Sequence, residues 1–125
     1  MFTSTQNRYP QVRDKLNAST TFPVEIEIQP NHEMAALLDA LTPDTPWGER
    51  QIAARKLGYL RNPEALSGLL AALPTDPFWM VRCAIIQALE VIGDPRAIPT
   101  LEIIAKSDGF QVVRSYAAKA IERLL

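Results

Sequence analysis

From residue 31 onward, apolar side chains recur at spacings of three and four, the mark of helices that bury one stripe. Leu66, Leu69, Leu70 and Leu73 outline one such stripe, and Val81, Ala84, Ile85, Ala88, Leu89 and Ile92 outline another. The pattern itself repeats with a period of 32 residues. Met34 aligns with Leu66 and Ile98, Leu37 with Leu69 and Leu101, Leu57 with Leu89 and Ile121, and Leu60 with Ile92 and Leu124. Polar positions keep the same register: Asp44, Asp76 and Asp108 are each followed, six residues on, by Arg50, Arg82 and Arg114. Even the breakers recur, Asn62-Pro63 against Asp94-Pro95.

Each period reads as two helices. The first starts near Asn31, Pro63 or Pro95, where a proline in the first turn loses nothing by lacking an N–H. The second follows the recurrent Asp, and Asp76-Pro77 reads as an N-cap with proline at the first helical position. The units are then 31–62, 63–94 and 95–125. A single helix pair cannot cover its own apolar face, so neighbouring units stack, and three units are near the minimum for a stable array. The expectation is an all-α chain with six principal helices and no sheet of three or more strands.

Residues 1–30 fall outside the period. Arg8 to Leu16 has the makings of a short helix with Pro10 in its first turn. Phe22-Pro23-Val24-Glu25-Ile26-Glu27-Ile28-Gln29 alternates apolar and polar residues, which predicts an extended segment with one buried face. It is read either as a cap over the exposed end of the first repeat or as a strand that pairs with another chain.

Composition narrows the function. Hydrophobic residues make up 47% of the 125, enough for a core in one domain, and no apolar run approaches the ~20 residues of a membrane span. Without an apolar leader after Met1, and with Cys83 as the one cysteine, the expected location is cytoplasmic. Thirteen Lys and Arg against 14 Asp and Glu give a net charge of −1, with no basic run, so nucleic acid is not an expected partner. One His and one Cys do not furnish a conventional zinc site, and no glycine-rich phosphate loop or nucleophile elbow occurs. No cofactor or metal is expected.

The runs from Val81-Arg82 to Ala88-Leu89 and from Ile92-Gly93-Asp94-Pro95 to Thr100-Leu101 resemble the HEAT-like repeat of the phycobilisome lyase type. The same pattern recurs more faintly from Arg50 to Leu66 and from Val113 to Leu124, so the resemblance covers roughly 31–125. It implies a short right-handed α-solenoid of three HEAT-like helix pairs, an alpha-alpha superhelix behind a non-repeat N-terminal extension. It also implies that Asp44, Asp76 and Asp108 and Arg50, Arg82 and Arg114 form a structural ladder from unit to unit. Glu49 departs from the pattern, because the equivalent residues are Val81 and Val113. Some proteins with this repeat act as lyase or isomerase subunits on bilin pigments of phycobiliproteins, or assist phycobilisome breakdown. This chain is short for a complete lyase. A further group with HEAT-like repeats, the deoxyhypusine hydroxylases, holds iron with His-Glu motifs on several helices. Here His32-Glu33 has no counterpart, the equivalent pairs being Glu64-Ala65 and Arg96-Ala97.

The second helices of such an array line its inner surface. Off the buried stripe they carry Trp47, Gln51 and Arg55, then Trp79, Cys83 and Gln87, then Gln111, Ser115 and Lys119. Trp47 and Trp79 are equivalent positions. They are read either as neighbouring hot spots of a protein-binding surface or as indoles that pack against the next unit. Cys83, in register with Gln51 and Ser115, is expected outside the core, and Tyr59 and Tyr116 are expected to be packing residues. The leading function is a non-catalytic scaffold or adaptor that binds another protein. The alternative is an accessory subunit in bilin attachment to phycobiliproteins or in phycobilisome assembly or turnover.

Overall fold

The computed structural model describes residues 30–125. The predicted helix at 8–16 and the extended segment at 22–29 lie outside the described residues. Met34–Leu125 forms one compact unit.

Six α-helices run through the described residues in three pairs. They are α1 (Pro30–Asp39) with α2 (Trp47–Leu60), α3 (Leu66–Ala72) with α4 (Trp79–Ile92), and α5 (Ile98–Ser107) with α6 (Gln111–Leu124). No strand occurs among them. The second helices pack side by side, α2 on α4 and α4 on α6, while α5 packs on α6. The described residues form a short all-helical solenoid.

Local sequence explains where the first helices begin. Asn62 and Asp94 sit in extended backbone, and their side-chain oxygens accept hydrogen bonds from the amides of Glu64 and Arg96, each at 2.9 Å. One 3-10 turn follows in each case, Pro63–Ala65 and Pro95–Ala97, with the proline in the position where its missing donor is harmless. The second helices begin otherwise than the Asp-Pro motif predicts. Helix α4 starts at Trp79, after Phe78, and Asp76 is not its N-cap. Its carboxylate accepts from the Phe78 amide at 2.9 Å, two residues on, and is otherwise claimed by an arginine of the preceding repeat.

The core is one continuous cluster. Leu57, Leu69, Leu73, Val81, Ile85, Ile86, Leu89, Leu101 and Val113 are its largest fully buried side chains. Helix α4 is flanked on both sides, so burial is not confined to its predicted stripe: Cys83 and Ile86 are buried as well. That corrects the expectation for Cys83. The equivalent Gln51 is only half-buried and Ser115 is exposed, because only α4 has a second helix on each side. Burial pushes the Cys83 thiol up from its ordinary value, a rise that the nearby Arg82 charge opposes and Asp108 reinforces. A protonated, covered thiol is a packing group.

At the first junction the backbones come close. A Cβ added at Gly58 would lie 2.9 Å from Cα of Ala88, so α2 and α4 cross where only glycine fits. At the second junction the equivalent of Gly58 is Glu90, half-buried and ion-paired to Arg123.

Candidate functional site

The recurrent Asp and Arg residues form a relay between repeats. Arg50 Nε donates to Asp76 Oδ2 at 2.8 Å and its Nη2 to Oδ1 at 3.2 Å, across 26 residues. Arg82 repeats the geometry on Asp108, at 2.7 and 2.9 Å, again across 26 residues. Each guanidinium also holds the backbone of its own turn: Arg50 Nη1 donates to the Thr45 carbonyl, Arg82 Nη1 to that of Asp76 at 2.9 Å, and Arg114 Nη1 to that of Asp108. An arginine therefore ties the turn of its own repeat to the carboxylate of the next, with the planar fork matched to both oxygens. The first pair is buried, with the Arg50 side chain 6% and that of Asp76 2% exposed, and the second is part-buried, with Arg82 12% and Asp108 5%. Burial alone would raise the Asp108 pKa, but hydrogen bonds from Arg82 and the Phe110 amide, with the charges of Arg82 and Arg114, outweigh it and hold the carboxyl below the usual carboxylate range. Asp44, the first of the series, is exposed.

The tryptophans stand over the same turns. Trp47 packs on Phe78 with ring centroids 4.5 Å apart, and Trp79 stacks on Phe110 at 5.8 Å. Each indole thus reaches the aromatic residue that precedes the next second helix. Trp47 remains 46% exposed, whereas Trp79 is half-buried against the core.

A groove of about 490 Å³ lies lower on the second helices, away from both indoles. The 32-residue register makes its construction plain. One row across α2, α4 and α6 is Arg55, Gln87 and Lys119, and the row one turn on is Tyr59, Val91 and Arg123. Ala84 and Tyr116, three residues before Gln87 and Lys119, also line the groove. The row residues are four apart on each helix, so both project from the same face. Tyr59 is 77% exposed, Val91 40% and Tyr116 36%. Arg123 pairs with Glu90, while Arg55 and Lys119 form no ion pair among the described residues.

The structure therefore divides the predicted surface residues. Arg55, Gln87 and Lys119 are brought together in the groove. Trp47 and Trp79 stand at the helix starts, Gln51 is half-buried, Cys83 is buried and Ser115 is exposed but outside the groove. Tyr59 and Tyr116 are not packing residues, which corrects their expectation. The sequence signal was present: Tyr59 lies four residues after Arg55, on its face of α2, and Tyr116 three before Lys119.

Glu49, the departure from the repeat pattern, is exposed, as are His32 and Glu33. Among the described residues no three His, Cys, Asp or Glu side chains gather as a metal site, and no helix is long and apolar enough to cross a membrane. A search among curated proteins finds no match. A family model described as HEAT repeats matches residues 34–122, well over half of the chain, across all three helix pairs. With that match on the same residues that carry the Asp–Arg relay and the stacked helix pairs, the chain belongs to the HEAT repeat family.

Proposed function

We propose that this chain is a non-catalytic scaffold or adaptor that binds another protein along the exposed face of its second helices. The observation that supports the reading is the groove across α2, α4 and α6, where Tyr59, Val91 and Tyr116 leave apolar surface in water beside Arg55 and Lys119. Clustered exposed aromatics among polar neighbours are costly to keep solvated and mark contact surfaces. Trp47, with nearly half of its surface free, extends the exposed face toward the helix starts, with Gln51 and Ser115 between.

The test is capture of partners from native extract by the wild-type chain and by a Tyr59→Ala, Gln87→Ala double variant, with the bound proteins identified by mass spectrometry. The same proteins recovered at the same level by both would refute a role for this face. The reading as an accessory subunit in bilin attachment or phycobilisome turnover draws on the repeat motif alone, through its resemblance to the phycobilisome lyase type. Phycobiliproteins among the captured partners would raise it above the general adaptor role.

A further inference from the structure

Resting on the reading that this face binds protein, the geometry points to one class of partner: we infer that the groove takes an extended acidic segment, with two carboxylates about six residues apart and an apolar side chain between them.

The middle row carries the inference. Arg55, Gln87 and Lys119 occupy the same register on three helices packed side by side, giving cation, amide and cation along one line. Adjacent packed helices lie about 8–10 Å apart, so the helical positions that carry the two cations are two such steps apart, about 16–20 Å. An extended chain rises about 3.3 Å per residue, so about six residues bridge them. Positions six apart in an extended chain point the same way, so both carboxylates face the groove together. Gln87, midway, has a carbonyl and an NH₂ that can meet the amide and carbonyl of the bound backbone. Same-face residues between the carboxylates fall over Val91 and between Tyr59 and Tyr116, where an aliphatic or aromatic side chain covers exposed apolar surface.

Charge selects the sign. The groove holds Arg55, Lys119 and Arg123 against Glu90, and the last two neutralise each other. Two positive charges without an ion-pair partner among the described residues, beside low-dielectric walls, attract an anion and repel a basic segment. A protein that contacts about 6–10 phosphates draws on more cations than these two.

The experiment uses the full chain and fluorescence anisotropy. The probe is a labelled peptide with Glu at two positions six apart, Leu at the same-face positions between them and Ser elsewhere. Its controls replace both Glu by Gln or by Lys, and a labelled single-stranded oligonucleotide is measured in parallel. The Glu peptide is expected to bind best, with the Gln peptide weaker by roughly tenfold and the Lys peptide weaker still. Arg55→Glu and Lys119→Glu, both at exposed positions, should each weaken the Glu peptide by about three- to tenfold, and the double reversal should make the Lys peptide the preferred ligand. Equal binding of Glu and Gln peptides, indifference to both charge reversals, or tighter binding of the oligonucleotide overturns the proposal. So does failure of every peptide to bind. In that case loss of captured proteins by the Tyr59→Ala, Gln87→Ala variant still upholds the scaffold reading, and the two conclusions stand or fall separately.

Discussion

Replacing Arg82 by alanine removes the second of the two links between repeats. Three hydrogen bonds disappear, two to the Asp108 carboxylate at 2.7 and 2.9 Å and one to the Asp76 carbonyl at 2.9 Å. The cation also lies 5.8 Å from the Phe110 ring centre. Removing one partner of a fully buried pair costs about 3–5 kcal/mol, because the other charge stays desolvated, and an exposed pair is worth about 0–1. With Asp108 5% exposed and Arg82 12%, the site lies near the buried limit, and Asp108 keeps the Phe110 amide as a donor. About 2–4 kcal/mol is expected, a large part of the stability of a chain of this size. Arg55→Ala, at an exposed groove position, should cost about 0.5 kcal/mol or less. Urea titration followed by circular dichroism measures both. The pH dependence gives a second readout. Because the folded pKa of Asp108 is depressed, its contribution is complete above the unfolded value, about 3.9, and is lost as pH falls through the folded value. Wild type should therefore lose more stability than Arg82→Ala below about pH 4. Equal, negligible losses for Arg82→Ala and Arg55→Ala would refute the structural role of the relay.

Three further outcomes are expected. Gly58→Ala places a methyl 2.9 Å from Cα of Ala88, a backbone atom that cannot swing aside, and should destabilise by about 1–3 kcal/mol in the same titration. Arg61 closes α2 in left-handed backbone at φ 52°, where the equivalent Gly93 closes α4 at φ 78°, so Arg61→Gly should stabilise by about 0.5–1 kcal/mol; a loss would show that the arginine side chain matters more than the strain. Trp79→Ala, which opens the contact with Phe110 beside the core, should lower the melting temperature more than Trp47→Ala at its more exposed site; unchanged melting with lost partner capture would instead mark Trp79 as a binding residue.

What the sequence disclosed was whatever depends on position along a helix. The repeat register singles out the four residues of the two inter-repeat ion pairs, Arg50, Arg82, Asp76 and Asp108, and the family resemblance implied that they form a ladder. It says less about what lies beside each helix. Cys83 looked like a surface residue from its polar counterparts, yet α4 alone has helices on both flanks, a property of its place in the stack and not of its own pattern. The packing expectation for Tyr59 and Tyr116 fails for a related reason: beside a wide apolar stripe a tyrosine either packs or faces water, and the neighbouring helix decides which. Asp76 followed by proline looked like a cap, but an arginine from the preceding repeat competes for its oxygens, and no local signal reveals a donor 26 residues away.

The glycine crossing of α2 and α4 has a mechanical consequence. That joint brings two backbones into direct contact, whereas the next joint seats a glutamate and its arginine, and α4 packs less extensively on α6 than on α2. Stiffness is then expected to fall from the α2–α4 joint, where the two helices form a block, to the α4–α6 joint. Flexing at the second joint moves Lys119 relative to Arg55 while Gln87 stays fixed to the block. The aperture between the two cations thereby becomes adjustable without any repeat unfolding.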